Sequence, residues 1–316
     1  MMAKIVVVNG DVVNYDHRMD WAEIGQDVAV YGDSTPKQLL QRAKGAEILV
    51  VKELPMPASV IEQLPASVKM IVEAGTGYNN YAADALKARG IALTNIPAYS
   101  TARVAHTAIM LMLNLASSMQ TQLAMLAHGD HRNFSEHLLV NHIELNGKTL
   151  GVVGFGHIGQ AIIKVAQVLE MQILVATRTP RADRDGIHFT GLPTLLKRSD
   201  FVSLNLPLTA QTHHLINAQT LALMKPEAFL INTARGGLVD EAALVAALQA
   251  GKLAGAGLDV QEVEPLPDTS PLFTLPNVIV TPHMGWRGLE TRQRLVKLVE
   301  ANIAAWQAGT PINRVL

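Results

Sequence analysis

Three glycines in the stretch GVVGFGHIGQAIIKVAQVL have the spacing that cradles a phosphate. Gly154, Gly156 and Gly159 form G-x-G-x-x-G between an apolar run that reads as a strand and a periodic run that reads as a helix. In that setting the first glycine permits a tight turn and the second lets backbone approach a pyrophosphate. The third lets helix and strand pack closely, with the phosphates at the helix N-terminus. The next strand, QILVAT, ends at Thr177 and Arg178. A chain that binds NAD ordinarily presents an acid there, about twenty residues after the glycines, to accept hydrogen bonds from the ribose hydroxyls. A guanidinium does the reverse and takes a 2′-phosphate bidentately. Thr177 adds a hydroxyl and Arg181 a second cation, while Asp183 and Asp185, further into the loop, read as solvated. The cofactor expected is therefore NADP. The competing reading is a surface arginine over the adenine face of a chain that uses NAD.

Three further residues follow apolar runs that read as strands. INTARGGLVDE puts Arg235 beside two glycines, GAGLDVQEVEPLP puts Glu264 just before a proline, and VIVTPHMGW puts His283 after Thr-Pro. Ligands in open α/β sheets bind at the carboxyl ends of strands, so the three are candidates for one cleft. Taken singly, each would be an ordinary surface or turn residue; their order and placement carry the case. His106, His213 and His214 read as structural, and Met110, Met112 and Met119 as core or subunit contact. No metal-ligand spacing is evident, so no metal is expected.

The elements that must position these residues are short apolar runs alternating with helical patterns. KIVVV (4–8), AEILVV (46–51) and VKMIVEA (68–74) read as strands in a first half. TLGVVGFG (149–156), QILVATR (172–178), FVSLNLP (201–207), AFLINTA (228–234) and GAGLDV (255–260) do so in a second. Runs this rich in β-branched residues suit parallel strands covered on both faces. The expected fold class is α/β, with two Rossmann-like domains of parallel sheet and a cleft between them that closes over the reactants. Residues 97–283 form the dinucleotide-binding domain. Residues 1–96 with the terminal helix, 284–316, form a discontinuous substrate domain.

On these pieces the chain resembles the D-isomer-specific 2-hydroxyacid dehydrogenases. EAGTGYNNYAADALKARGIALTNIPAYST and LPLTAQTHHLI match as well, and the likeness runs from about residue 45 to the C-terminus. NIPAYST and the tryptophan after His283 are most similar to the glycerate dehydrogenase and hydroxypyruvate reductase branch. The resemblance implies reversible reduction of a small 2-keto acid, such as glyoxylate or hydroxypyruvate, to the D-2-hydroxy acid. Arg235 would bind the substrate carboxylate and polarise the keto oxygen. His283 would donate the proton, held in its protonated form by Glu264. Backbone amides at Thr76 and Gly77 would bind the carboxylate, and Trp286 would contact substrate or pack. His157, Ile158, Leu206, Pro207, Thr212, Thr233, Ala234 and Asp259 would line the cofactor, Asp259 near the nicotinamide. A homodimer through the apolar segment from Val104 to Met125 is also implied.

Departures from the family pattern are visible too. Glu170 stands where a glycine usually ends the helix before the second strand, which would shift the strand exit. The segment HGDHRNFSEHLLVNHIELNGK is short and lacks the usual tryptophan, and Arg287 stands where a small residue is common.

Composition excludes several alternatives. Apolar residues are 49 % and charged residues 17 % of 316, enough for a sizeable core and unlike a disordered chain. Net charge is −1 with no long run of one sign, so neither nucleic acid nor an anionic membrane is expected. Cysteine is absent, no targeting signal is evident, and AIMLMLNLASSM (108–119), interrupted by Asn114 and too short to span a bilayer, reads as a buried helix. A cytoplasmic enzyme fits. Two rivals share the architecture: a formate dehydrogenase, which Glu264 argues against, and a dinucleotide-sensing binding protein.

Overall fold

Most of the β-branched runs become parallel strands in the computed structural model, which describes residues 5–316. The chain divides into two units, one running to Ser100 and resuming from Arg287 to Leu316, the other spanning Thr101–Trp286. These divisions lie three or four residues beyond those expected from sequence.

In the first unit the strands are β1 (Ile5–Val7), β2 (Val28–Val30), β3 (Ile48–Val51), β4 (Met70–Glu73) and β5 (Ala92–Thr94). They form one sheet in the order β2-β1-β3-β4-β5, with every pair parallel. Every residue of β1, β3 and β4 is buried, as helices on both faces require. The helix Pro36–Arg42 starts at a capping box, where Thr35 accepts from the Gln38 N–H and Gln38 reaches back to the Thr35 N–H. The terminal helix Leu289–Gln307 belongs to this unit and is tied to it by Arg292, which is 2 % exposed. Its guanidinium donates to Asp16 at 2.7 and 2.6 Å and to the Val13 carbonyl at 2.8 Å. That fork holds the Asp16 carboxyl well below the usual carboxylate range.

The second unit contains β6 (Thr149–Val153), β7 (Gln172–Ala176), β8 (Ile187–Phe189), β9 (Phe201–Leu204), β10 (Phe229–Asn232), β11 (Gly255–Leu258) and β12 (Val278–Val280). Their order, β12-β11-β10-β9-β6-β7-β8, is a doubly wound parallel sheet. The winding reverses between β6 and β9, the switch point where such sheets bind dinucleotides. One core cluster includes Val202, Leu230 and Leu258, the other Val152, Ile231 and Leu111.

Three expectations need correction. The apolar run 108–119 is not one helix: Thr101–Ala116 ends, Ser118 takes φ 47°, and Met119–Ala127 leaves at 66°. The first of these helices is largely buried, whereas the second buries no residue. No single helix among the described residues is long and apolar enough to cross a membrane. Asp183 is also not merely solvated: it accepts from the Phe189 N–H at 2.7 Å and from His188 Nδ1 at 2.8 Å, closing the loop before β8. Finally, Glu170 takes over the left-handed helix end at φ 56°, its side chain accepting from Asn146 Nδ2. The strand exit is undisturbed, since β7 still pairs Ile173 with Leu150.

Candidate active site

The glycine turn lies at the end of β6, beside the switch point. Gly154 has φ 99°, and a Cβ there would run into the Asn205 carbonyl after β9. A Cβ on Gly159 would lie 2.6 Å from the Gly154 carbonyl, whereas Gly156 faces open space. The helix His157–Val168 begins at Gly156 without a side-chain cap, leaving its first amides to a ligand. Thr212 closes the loop after β9, donating to the Pro207 carbonyl at 2.8 Å and accepting from the Thr209 N–H at 2.8 Å. At the end of β7, Thr177 donates to the Thr179 carbonyl at 2.7 Å and Arg178 is exposed. The Arg181 and Arg184 guanidinium carbons lie 5.5 and 5.2 Å from the centre of the Phe155 ring, inside the glycine turn.

Two buried oxygens, just after the neighbouring strands β9 and β10, support the fit to a dinucleotide. Thr233 Oγ1 and Asn205 Oδ1 have no hydrogen-bond partner among the described residues. Buried polar atoms left this way are costly unless something meets them. Thr233 was expected from sequence; Asn205 was not, and no spacing pattern would have found it.

Loops after β10, β11 and β12 carry the remaining candidates. Arg235, half-buried, follows β10 and donates from Nη1 to the Ala234 carbonyl at 2.6 Å. Its neighbour Gly236 presses against the Gln261 backbone, where any Cβ would collide. The Gln261 N–H donates to Glu264 Oε1 at 3.0 Å, and Glu264 Oε2 accepts from His283 Nδ1 at 2.9 Å. Glu264 and His283 are thus directly paired, while Arg235 is brought to the same loops only by the packing of Gly236 on the Gln261 backbone. His283 has φ 48°, a backbone conformation uncommon for its type.

Asp259 maintains that conformation. It is 1 % exposed and accepts from Thr281 Oγ1 at 2.6 Å, the Met284 N–H at 2.9 Å and the Gly285 N–H at 2.8 Å. Both its oxygens serve the turn that carries His283, a role the sequence did not reveal. Trp286 is 3 % exposed. In the first unit, the Thr76 hydroxyl donates to the Ile96 carbonyl at 2.9 Å, and Gly77 is the next residue of the same turn.

His213 and His214 lie beside these loops. Their rings stack at 3.9 Å, and His214 Nε2 donates to Glu262 Oε1 at 2.7 Å. The ligand atoms of His213, His214 and Glu262 all lie within 4.8 Å of one another.

Residues 109–285 match the NAD binding domain of the D-isomer specific 2-hydroxyacid dehydrogenases. The chain belongs to that family. It is 34 % identical to a hydroxypyruvate reductase of Blautia hydrogenotrophica over 99 % of both chains. It is 39 % identical to a glycerate dehydrogenase of Methylorubrum extorquens over 89 % of each. Its fold matches an acyclic imino acid reductase solved with NADPH and D-Arg, at a TM-score of 0.85 and 28 % identity over 99 % of this chain and 100 % of that one. These relatives place it in the glycerate dehydrogenase-like branch, as a nicotinamide-dependent oxidoreductase of 2-keto and 2-hydroxy acids.

Proposed function

We propose that this dehydrogenase reduces a small 2-keto acid of the glyoxylate or hydroxypyruvate kind to the D-2-hydroxy acid. The observation that carries the reading is the Glu264 carboxylate on His283 Nδ1. That bond occupies Nδ1, fixes the ring and leaves Nε2 as the proton-bearing atom for the keto oxygen. Arg235 holds the substrate carboxylate and polarises the carbonyl. The amides of Thr76 and Gly77 bind the carboxylate as well. Gly154, Gly156, His157, Ile158, Gly159, Leu206, Pro207, Thr212, Thr233 and Ala234 hold the cofactor, whose nicotinamide supplies the hydride. Asp259 acts here through the His283 turn.

Arg178 and Thr177 favour NADP. A bidentate arginine–phosphate contact contributes about 1.5–3 kcal/mol, roughly ten- to hundredfold in affinity. Arg181 and Arg184 add positive charge beside Phe155. The test is a panel of 2-keto acids assayed with NADPH and NADH in parallel. Turnover with a kcat/KM ratio favouring NADPH is expected; a ratio favouring NADH would make Arg178 a surface residue. No turnover of any 2-keto acid would defeat the reading.

The protein also acts as a homodimer. The first helix of the long apolar segment is largely buried in its own unit. The surplus lies beyond it, at Met119, Leu123, Leu126 and Phe134, which are 41, 55, 43 and 79 % exposed. A patch of that kind on a lone chain invites association. Sedimentation at micromolar concentration should show twice 34.1 kDa, and a single-chain species would count against it.

A further inference from the structure

Two deeply buried charges of the first unit have no part in the mechanism above. Lys52 follows β3 and is 3 % exposed; Glu73 ends β4 and is 0 % exposed. Val51 pairs with Glu73 across the two strands, so both charges leave the sheet at its carboxyl end, where ligands gather in this fold. Charges are not buried so completely without partners. The Lys52 ammonium contacts the Glu53 carboxylate and donates to the Tyr99 phenol. Glu73 Oε1 accepts from the Glu53 N–H at 3.2 Å, while Oε2 accepts from the Tyr81 hydroxyl at 2.8 Å and from Asn80 Nδ2 at 3.4 Å. Asn9 fixes the Lys52 backbone, donating to its carbonyl at 2.5 Å and accepting from its N–H at 2.9 Å.

Gly75 shows what this cluster serves. A Cβ there would lie 2.9 Å from Glu73 Oε1 and 3.1 Å from Lys52 Nζ. The two charged heads therefore pack directly against the backbone that leads into Thr76 and Gly77. From the other side the turn is pinned by the Ile96 N–H on the Gly75 carbonyl at 2.8 Å and by Asn95 Nδ2 on the Thr76 carbonyl at 2.7 Å. Among the described residues, neither the Thr76 nor the Gly77 N–H donates to a protein acceptor.

We propose that Lys52 is a positioning residue for the substrate carboxylate: its ammonium, held under Gly75 by Glu53, Tyr99 and Glu73, makes the Thr76 and Gly77 amides a site for an anion. The inference rests on reading that turn as the carboxylate-binding turn of a 2-keto acid reductase. Lys52 and Glu53 offset one another, so Glu73 decides the net charge beneath the turn. Burial pushes its carboxyl up to about 7, against the pull of Lys52 and the Tyr81 hydrogen bond. Burial draws Lys52 toward neutrality, but Tyr99, Glu53 and Glu73 more than offset it and keep it an ammonium. Burial also pushes both phenols, Tyr81 and Tyr99, up, so they stay protonated near neutrality. As pH rises through this range a negative charge appears under the turn and weakens its hold on a carboxylate.

The test is the KM for glyoxylate and for hydroxypyruvate, followed from pH 6 to pH 8.5 in wild type, Lys52→Met, Lys52→Arg and the double variant Lys52→Met/Glu73→Gln. The double variant removes both buried charges together and so guards against misfolding of the single one. Lys52→Met and the double variant should raise KM about tenfold, with kcat and the cofactor KM moving far less. Lys52→Arg should recover most of the loss. The wild-type KM should climb as pH rises past 7, and the climb should vanish in the double variant. A wild-type KM in the double variant, or equal losses of kcat and cofactor affinity in every variant, would reduce Lys52 to a structural residue. Absence of any wild-type turnover would instead overturn the underlying reading, a separate outcome.

Discussion

Two buried carboxylates, one in each unit, stand at the ends of parallel strands, yet they do different work. Asp259, just after β11, takes its hydrogen bonds from Thr281 and from the amides of Met284 and Gly285. All three donors belong to one turn, so its effect is geometric: it sets the backbone from which His283 projects. Glu73, at the end of β4, also accepts three hydrogen bonds, but from the separate donors Glu53, Asn80 and Tyr81, with an ammonium nearby. Its effect is electrical, because its own ionisation changes the charge under a loop. A carboxylate bound by the amides of one turn shapes a site. A carboxylate shared with a lysine and a phenol sets its potential.

The larger effect should come from breaking the first. Asp259→Asn places an amide group against backbone N–H donors that need an acceptor. Each lost or opposed contact of this kind costs about 1–3 kcal/mol, so kcat for reduction should fall roughly ten- to hundredfold. Cofactor KM should change little. Steady-state kinetics would check this, and an unchanged kcat would show that the His283 turn holds without Asp259.

Glu73→Gln should act more gently and through pH. The folded carboxyl titrates at about 7, above its ordinary value of 4.5. A group raised in this way contributes stability that is fully present below its unfolded value and is lost as pH rises through the folded one. Wild type should therefore lose thermal stability between pH 6 and pH 8, by about 2–4 °C for each kcal/mol involved. The variant should lose less over the same interval. Equal slopes in the two melting series would remove Glu73 from the account.

What the sequence disclosed follows from where burial is complete. Central strands such as β3, β4 and β10 are buried along their whole length and read as unbroken apolar runs. The strands missed were β2, β5 and β8. Each has three residues and lies at a sheet edge, too short for a period to show. The break at Ser118 was hidden because both flanking helices are apolar, one to fill the core and the other exposed. In the site, the Glu264–His283 pair was legible from its strand-end placement and family likeness. The Asp259 role was not, since its partners are backbone amides that carry no residue signature. Lys52 and Glu73 were illegible for a related reason: they meet only once β3 and β4 lie side by side.

The central claim is that His283, poised by Glu264, donates the proton. The most direct measurement is kcat/KM for 2-keto acid reduction in wild type, Glu264→Gln and His283→Ala. The alanine variant should fall at least about a hundredfold, the usual size of a lost general acid. In Glu264→Gln the ring loses the charged partner of its Nδ1, so kcat should fall about tenfold while the cofactor KM changes little. A wild-type kcat in Glu264→Gln, or a His283→Ala enzyme close to wild type, would contradict the account.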